Sequence, residues 1–419
     1  MMAALAISAD RIESDRVWLG RRADFPGLAR QVHGKPLVYL DNANTAQRPL
    51  PVLAAMDRYY REFNANVSRA VHTLGAEATT AYEATRDRLA KFLNAPSREQ
   101  IVFTRGTTEG INLVASSWGL SNLKAGDSVL VTTMEHHANI VPWQLVCERV
   151  GATLKVAPIH HNGELDLDAM RALMTPDVKL FAFTHVSNAL GTINPVDAIC
   201  ALARKRRIVT LIDGSQAAPH LPIDLQAIDC DFYVITGHKM FGPTATGALF
   251  GRAELLEAMP PFMGGGEMIR EVRFEGTSYA DPPHRFEAGT PNIAGIIGLG
   301  AAVDYLQAIG LGEILKREQD LGAYAFSRLA GIDGLRLFGE APDRAPVFSF
   351  LIEGAQAQDV ATLMDLDGIA VRSGHHCAHP LMRFYGVSAT CRASLAFYNT
   401  HAEIDGLVES IARARTLLA

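Results

Sequence analysis

The chain has 419 residues, more than one hydrophobic core usually serves, so a large domain and a smaller one are expected. Hydrophobic residues make up 48% and charged residues 20% of the chain, a balance that excludes an intrinsically disordered protein. The formal net charge is -6 and no basic run or stripe is present, so the composition favours a small-molecule ligand over nucleic acid or an anionic membrane.

The sequence also bears on the compartment in which the protein works. Residues 1–7 are briefly apolar, but they lack a positive lead and meet Asp10 almost at once, unlike a signal peptide. No later run is long and apolar enough to span a bilayer. The cysteine count of 5 is odd and low for this length, which argues against a secreted disulfide framework. We therefore expect a cytoplasmic protein.

Short apolar runs rich in Val, Ile and Phe predict strands at residues 37–40, 101–104, 129–133, 180–185, 208–213 and 232–236. Amphipathic stretches of helical period alternate with these runs, at residues 82–93, 111–118 and 196–204. The alternation predicts a mostly parallel sheet between helices, with functional groups at the carboxyl ends of the strands.

The pattern changes after the glycine-rich residues 295–300. A long helical segment is predicted at residues 303–329, and it is followed by strand-like pieces at 347–352 and 369–372 and by an amphipathic helix from residue 402. We therefore predict an α/β fold made of two domains. The large domain spans residues 30–300, and the smaller α+β domain combines residues 1–29 with residues 301–419.

Four groups that follow predicted strands suit one cofactor. Lys239 lies among glycine, aromatic and apolar neighbours, where desolvation favours the neutral amine that forms Schiff bases, although a lone lysine is usually a solvated side chain. Residues 104–110 open a helix and form either a phosphate cup or an ordinary helix N-cap. Asp213 suits a pyridine nitrogen or a helix cap. His136 offers a flat imidazole that can stack on a ring and move protons.

The conjunction of phosphate cup, aspartate, histidine and lysine predicts a pyridoxal phosphate site. The sequence resembles the class V family of pyridoxal-phosphate enzymes, and within it the SufS-type (group II) cysteine desulfurases, from about Asp24 to the C-terminus. Six motifs carry this resemblance: Arg105-Gly106-Thr107-Thr108-Glu109-Gly110, Glu135-His136-His137-Ala138-Asn139, Thr184-His185-Val186-Ser187-Asn188, Asp213-Gly214-Ser215-Gln216, Gly237-His238-Lys239 and Arg372-Ser373-Gly374-His375-His376-Cys377.

The resemblance implies a fold-type I homodimer with pyridoxal 5'-phosphate at the subunit interface. Lys239 would be the Schiff-base lysine, Asp213 would pair with the pyridine nitrogen, and His136 would stack on the ring and act in catalysis. The other implied cofactor contacts are Thr107, Thr108, Gln216, Thr236 and His238, joined by Thr290 from the second subunit. The implied substrate contacts are Asn188 and Arg392, with Arg372 close by.

Cys377 sets the predicted reaction. An isolated cysteine is most often a small buried hydrophobe, as Cys147, Cys200 and Cys230 are expected to be, but Cys377 stands among His and Arg side chains that favour the nucleophilic thiolate. A metal site built from His375, His376, Cys377 and His379 is a competing interpretation, but adjacent residues seldom converge on one tetrahedral ion, so we predict no metal.

The predicted activity converts L-cysteine to L-alanine and leaves a persulfide on Cys377. The resemblance implies a short, ordered cysteine loop and a SufE-like acceptor protein that takes the sulfur for iron–sulfur cluster assembly in a SUF system. A selenocysteine lyase or a cysteine sulfinate desulfinase is the nearest alternative, and a non-catalytic sulfur-transfer scaffold is an alternative of another class. Nothing in the sequence accounts for the keto-acid substrate of an aminotransferase.

The chain departs from the family pattern near the expected substrate entrance. Relatives commonly have His-Arg-Gly where this chain has Ser68-Arg69-Ala70, and a small alanine where it has Asn44. Both departures bear on substrate contacts and partner fit. Thr236 replaces a more usual serine and keeps the hydroxyl at the expected phosphate site.

Overall fold

The computed structural model describes residues 9–68 and 71–418, so the expectations on residues 1–7 and on Arg69 and Ala70 lie outside the described residues. The helices of the described residues are α1 Ala9–Arg22, α2 Leu50–Glu62, α3 Thr73–Phe92, α4 Thr107–Val114, α5 Leu120–Asn122, α6 Val141–Val150, α7 Leu167–Leu173, α8 Val196–Lys205, α9 Leu225–Ile228, α10 Ala253–Ala258, α11 Ile293–Ile309, α12 Leu311–Ala330, α13 Ala357–Leu366, α14 His379–Phe384 and α15 His401–Leu418.

The strands are β1 Gln31–Val32, β2 Lys35–Pro36, β3 Val38–Tyr39, β4 Ile101–Thr104, β5 Ser128–Thr132, β6 Thr153–Ala157, β7 Val178–Thr184, β8 Val209–Asp213, β9 Phe232–Thr236, β10 Gly247–Gly251, β11 Ile269–Arg273, β12 Gly276–Tyr279, β13 Leu335–Phe338, β14 Val347–Ile352, β15 Ile369–Ala370, β16 Arg372–Gly374 and β17 Thr390–Ser394.

The central sheet has the strand order β4-β10-β9-β8-β7-β5-β6. β10 runs antiparallel to both of its neighbours, and the pairs among β5 to β9 are parallel. Alternate side chains enter different cores, since Leu130 and Phe181 pack on one face whereas Val131 and Leu180 pack on the other. The predicted α/β fold with a mostly parallel sheet between helices is confirmed.

A second, antiparallel sheet has the order β13-β14-β17-β16. Its buried residues Phe348 and Phe350 share a core with residues of α12, α13 and α15. The predicted strand at residues 369–372 is divided in the structure, because β15 pairs with β3 and β16 pairs with β17. This division places the start of the Cys377 loop on the second sheet.

The single long helix predicted at residues 303–329 is wrong. α11 and α12 are separate helices with a 75° bend between them, and Gly310 between them has φ +91°, which a residue with a side chain rarely adopts. The glycine-rich residues 295–300 lie inside α11, where a Cβ on Gly300 would meet Thr85 Oγ1 at 2.4 Å. The glycine therefore permits close packing of α11 on α3.

No single helix in the described ranges has the length and apolar composition needed to cross a membrane. α11 and α12 meet that test only as a bent pair.

Candidate active site

A cavity of about 870 Å³ lies where the carboxyl ends of β4, β5, β7, β8 and β9 meet the second sheet. All but one of the predicted site residues line it: Thr107, Thr108, His136, Asn188, Asp213, Gln216, Thr236, His238, Lys239, Arg372, Cys377 and Arg392. The exception is Thr290, which is exposed and lines a neighbouring cavity instead. The predicted site residues that line the cavity therefore lie together at the carboxyl ends of the strands, as expected for an open α/β sheet.

Lys239 follows β9 in a short 3₁₀ turn and faces the cavity with a half-buried side chain. Burial lowers the pKa of its amine to about 8, the Asp213 carboxylate opposes this shift, and the Arg392 cation adds to it. The amine makes no hydrogen bond to any residue in the described ranges. It is therefore available to react and is partly neutral near physiological pH.

His136 lies shortly after β5, and Asp213 is the last residue of β8, so both lie at the carboxyl edge of the central sheet. His136 Nδ1 accepts a hydrogen bond from the backbone N–H of Ala138 at 3.0 Å, and burial lowers its pKa to about 4, so the imidazole is neutral at pH 7. Asp213 is 5% exposed, and its Oδ1 accepts the N–H of Ser215 at 2.9 Å. Its Oδ2 has no hydrogen-bond partner in the described part of the chain.

The N-terminus of α4 forms a cup of backbone donors. Gly106 precedes the helix at φ +140° with no side-chain cap, and the N–H groups of residues 107–109 make no hydrogen bonds in the described structure. A Cβ on Gly106 would lie 3.2 Å from Thr236 Oγ1, so the glycine keeps the cup open. Thr236 and His238 also line the cavity, and the N–H groups of the cup suit an anion.

Two arginines on adjacent strands share one carboxylate. Arg372 Nη2 lies 2.7 Å from Asp41 Oδ2, and Arg392 Nη2 lies 3.4 Å from Asp41 Oδ1. Arg392 is 3% exposed, and its Nε lacks a hydrogen-bond partner among the described residues. The pair leaves an excess positive charge in the cavity wall, which suits a substrate carboxylate.

Cys377 is exposed and lies on the loop between β16 and α14. His376 and Cys377 have φ values of +53° and +55°, in the left-handed region that residues with side chains rarely adopt. Two hydrogen bonds hold this conformation: the amide of Asn188 donates to His376 O at 2.7 Å, and the N–H of His137 donates to Cys377 O at 2.8 Å. These two bonds hold the Cys377 loop against the segments that follow β5 and β7.

The other cysteines have a different setting. Cys147, Cys200, Cys230 and Cys391 are buried, which confirms the packing role expected of the first three. Burial raises the pKa of the Cys200 and Cys391 thiols to about 12, so both are protonated at neutral pH. Among the described cysteines, only Cys377 is exposed.

The structure adds two residues to the predicted site. Asp41, which follows β3, holds both arginines, although nothing in its local sequence indicates this role. Glu135 is fully buried with a pKa raised to about 8, and it accepts hydrogen bonds from Thr132, Asn139 and the N–H of Thr184. Glu135 thereby ties the end of β5 to the end of β7. Its spacing of four from Asn139 within one motif was the available signal.

Of the two departures from the family pattern, Asn44 lines the cavity and lies 3.4 Å from the carboxylate of Asp41. Ser68 lies outside the cavity, where its N–H donates to Thr79 Oγ1 at 2.9 Å.

Comparison with known proteins gives one consistent family. The chain is 63% identical over 401 residues to a probable cysteine desulfurase of Xylella fastidiosa, covering 96% of each protein, and 53% identical to a cysteine desulfurase of Escherichia coli O127:H6, covering 95% of this chain and 98% of that protein. Its fold matches the crystal structure of the cysteine desulfurase CsdA of Escherichia coli with a TM-score of 0.89, 39% identity, and coverage of 96% and 99%. The aminotransferase class-V model matches residues 38–407, and the chain therefore belongs to that family.

Proposed function

We propose that this cavity carries out the pyridoxal-phosphate-dependent conversion of L-cysteine to L-alanine, with sulfur delivered to Cys377. The protein is a cysteine desulfurase, the activity that names the relative at 53% identity and, as a probable one, the relative at 63% identity. The observation that carries the proposal is the presence of an exposed cysteine in the same cavity as a partly neutral lysine.

The residues fit pyridoxal phosphate. Lys239 offers an unbonded amine for covalent attachment, and Asp213 offers a free carboxylate oxygen for a protonated pyridine nitrogen. The unbonded N–H groups at the start of α4 suit a phosphate. Gln216 lines the cavity beside Asp213, and the neutral imidazole of His136 is suited to stacking on an aromatic ring.

Arg392, Arg372 and Asn188 bind and orient the substrate. The unpartnered Nε of Arg392 and the excess positive charge of the two guanidinium groups favour a carboxylate at this wall. The amide of Asn188 holds the Cys377 loop, so the same residue links carboxylate binding to the position of the thiol.

The bound cofactor supplies an electron sink for negative charge at the substrate Cα. The substrate amine would displace Lys239 from its covalent bond, and the freed neutral amine of Lys239 would then remove the Cα proton and later return a proton. The Cys377 thiolate attacks the substrate sulfur, so the new S–S bond forms as the substrate C–S bond breaks and its electron pair stays with the carbon fragment. The products are a Cys377 persulfide and alanine, and no external oxidant is needed.

The Cys377 loop is held by hydrogen bonds at both His376 and Cys377, and this keeps the thiol of Cys377 near the substrate. His137 and Asn188 anchor the two backbone carbonyls of this turn, and both belong to segments that follow strands of the central sheet. This arrangement supports the assignment to the SufS-type subgroup with a short, ordered cysteine loop.

The proposal also includes a homodimeric assembly and a protein that accepts the sulfur. Thr290 is exposed and lies outside the cavity of its own chain, which fits a homodimer in which it contacts the cofactor of the second subunit. Exposure of Cys377 allows a SufE-like protein to take the persulfide sulfur for iron–sulfur cluster assembly in the cytoplasm. The large domain of residues 30–300 then provides the cofactor site, and the small domain provides the cysteine loop.

The direct test supplies the purified protein with L-cysteine and measures alanine and sulfide with and without a SufE-like acceptor. We expect equal amounts of alanine and released or transferred sulfur, with faster turnover when the acceptor is present. Turnover of cysteine sulfinate or selenocysteine without turnover of cysteine would contradict the proposal.

A further inference from the structure

Two histidine side chains lie beside the predicted nucleophile Cys377 and have no part in the proposed reaction, and together with its thiol they form a cluster. His137 follows β5, whereas His375 and Cys377 lie on the loop after β16. One ligand atom from each residue lies within 4.8 Å of the other two. We call these residues the His-Cys cluster.

The backbone fixes the two segments of the cluster against each other. The N–H of His137 donates to Cys377 O at 2.8 Å, and the N–H of Cys377 donates to His375 Nδ1 at 3.2 Å. The three side chains are therefore brought together by the fold, and their proximity does not depend on adjacency in the sequence alone.

His379 supports the two imidazoles of the cluster. Its ring stacks on His375 with a centroid distance of 3.7 Å and on His137 with a centroid distance of 4.9 Å. Its backbone N–H also donates to His137 Nε2 at 3.0 Å. This bond and the one from the Cys377 N–H use the lone pairs of His137 Nε2 and His375 Nδ1, so an ion that binds at these atoms has to displace the two donors.

The segment therefore differs from the four-residue metal site considered from the sequence. His376 is buried and points away, with its Nε2 2.8 Å from Thr390 Oγ1. His137, from a distant part of the chain, takes its place beside the cysteine. The objection that adjacent residues seldom converge on one ion applies less to this set.

Two imidazoles and a thiolate are ligands that Zn²⁺ prefers. In a tetrahedral zinc site the ligand atoms lie about 3.3 to 3.6 Å apart, as follows from Zn–N and Zn–S bond lengths of about 2.0 and 2.3 Å. The cluster would have to contract by roughly 1 Å to reach this geometry. Cys377 is exposed, so rotation about its side-chain torsion can change the position of its thiol relative to the two imidazoles.

We propose that the His-Cys cluster binds one Zn²⁺ per chain and that the bound ion reversibly blocks the nucleophile. Binding replaces the thiol proton with the metal, so one proton leaves for each protonated thiol and no electrons are transferred. Three protein ligands leave a fourth position for water or an added thiol. The inhibition rests on the proposed function, whereas the binding does not.

The test uses the cofactor-loaded protein and Zn²⁺ alone. Isothermal titration should give one zinc per chain, and His375→Ala and His137→Ala should each weaken zinc binding by about tenfold or more. His160→Ala, at an exposed histidine outside the cluster, is the matched control and should bind zinc as the wild type does. Circular dichroism and retained cofactor absorbance establish that each variant is folded.

A second readout follows the thiol itself. Zinc should slow alkylation of Cys377 by iodoacetamide, measured by peptide mass spectrometry, in the wild type and in His160→Ala, but not in His375→Ala. Zinc-loaded protein freed of excess metal should show a lag in alanine formation that a chelator removes. Unchanged zinc affinity in both cluster variants, or unchanged alkylation of Cys377 with zinc, would overturn the site; binding without loss of activity would overturn the inhibition.

Discussion

The charge state of Lys239 is set by opposing neighbours. Burial and the Arg392 cation lower the pKa of its amine, and the Asp213 carboxylate raises it, with a result of about 8. A lysine in this state can bind the cofactor covalently and can also take up a proton at neutral pH. The same side chain therefore serves two roles in the proposed reaction.

Lys239→Ala is expected to abolish covalent attachment of pyridoxal phosphate, because the variant lacks the reacting amine. Its cofactor should be dialysable, and borohydride should fix none of it to the protein. Lys124→Ala is the control, because Lys124 is exposed and does not line the cavity, and this variant should retain a borohydride-reducible cofactor. A covalent cofactor in Lys239→Ala would mean that another lysine holds it.

The pH dependence of cofactor loading tests the lowered pKa. Only the neutral amine attacks the cofactor aldehyde, and below pH 8 most of the Lys239 amine is protonated. The rate at which cofactor-free protein gains its visible absorbance should rise about tenfold per pH unit below pH 8 and level off above it. A rate that keeps rising to pH 10 would show an unperturbed lysine.

Most residues that line the cavity were predictable because they lie at or just after the ends of strands, within recognisable motifs. Asp41 was not, since its role arises only when β3 pairs with β15 and brings its carboxylate to Arg372 and Arg392. The contacts of His137 with the Cys377 loop were likewise not predictable, because the residues that it contacts lie some 240 residues further along the chain.

At the scale of elements, Gly310 separates two helices that have continuous helical periodicity. Gly310→Ala should lower the free energy of unfolding by about 1 to 3 kcal/mol, because alanine at φ +91° is strained whereas glycine is not. Gly312→Ala is the matched control, since Gly312 lies in α12 and a Cβ there meets nothing within 4 Å. Urea unfolding followed by circular dichroism measures both, and equal stability of the two variants would contradict the assignment.

The sequence analysis missed the strands β10 and β17, among other elements. β10 is a Gly-Ala-Leu-Phe-Gly segment with glycine at both ends, and β17 contains the polar residues Thr390, Arg392 and Ser394 at alternate positions. Tertiary pairing determines both strands, because β10 closes the gap between β4 and β9 and β17 lies inside the second sheet. The long apolar strands β7 and β9 were predictable from composition alone.

At the scale of the molecule, a homodimer should have twice the chain mass of 45.4 kDa in light scattering. Thr290→Ala should still form this dimer but should release pyridoxal phosphate more readily, because the hydroxyl is proposed to contact the cofactor of the second subunit. Thr362→Ala, at an exposed position on α13, is the control and should retain the cofactor as the wild type does. A fully active monomer would refute the shared site.

The central claim is that Cys377 takes sulfur directly from cysteine. Mass spectrometry of wild-type protein after brief exposure to L-cysteine, without reductant, measures this transfer. We expect one added sulfur on the peptide that contains Cys377, and Cys377→Ser should bind the cofactor yet lose nearly all alanine formation, because a hydroxyl is far less nucleophilic than a thiolate. Added sulfur found only on peptides of the buried Cys147, Cys200, Cys230 or Cys391, or full cysteine turnover by Cys377→Ser, would contradict the account.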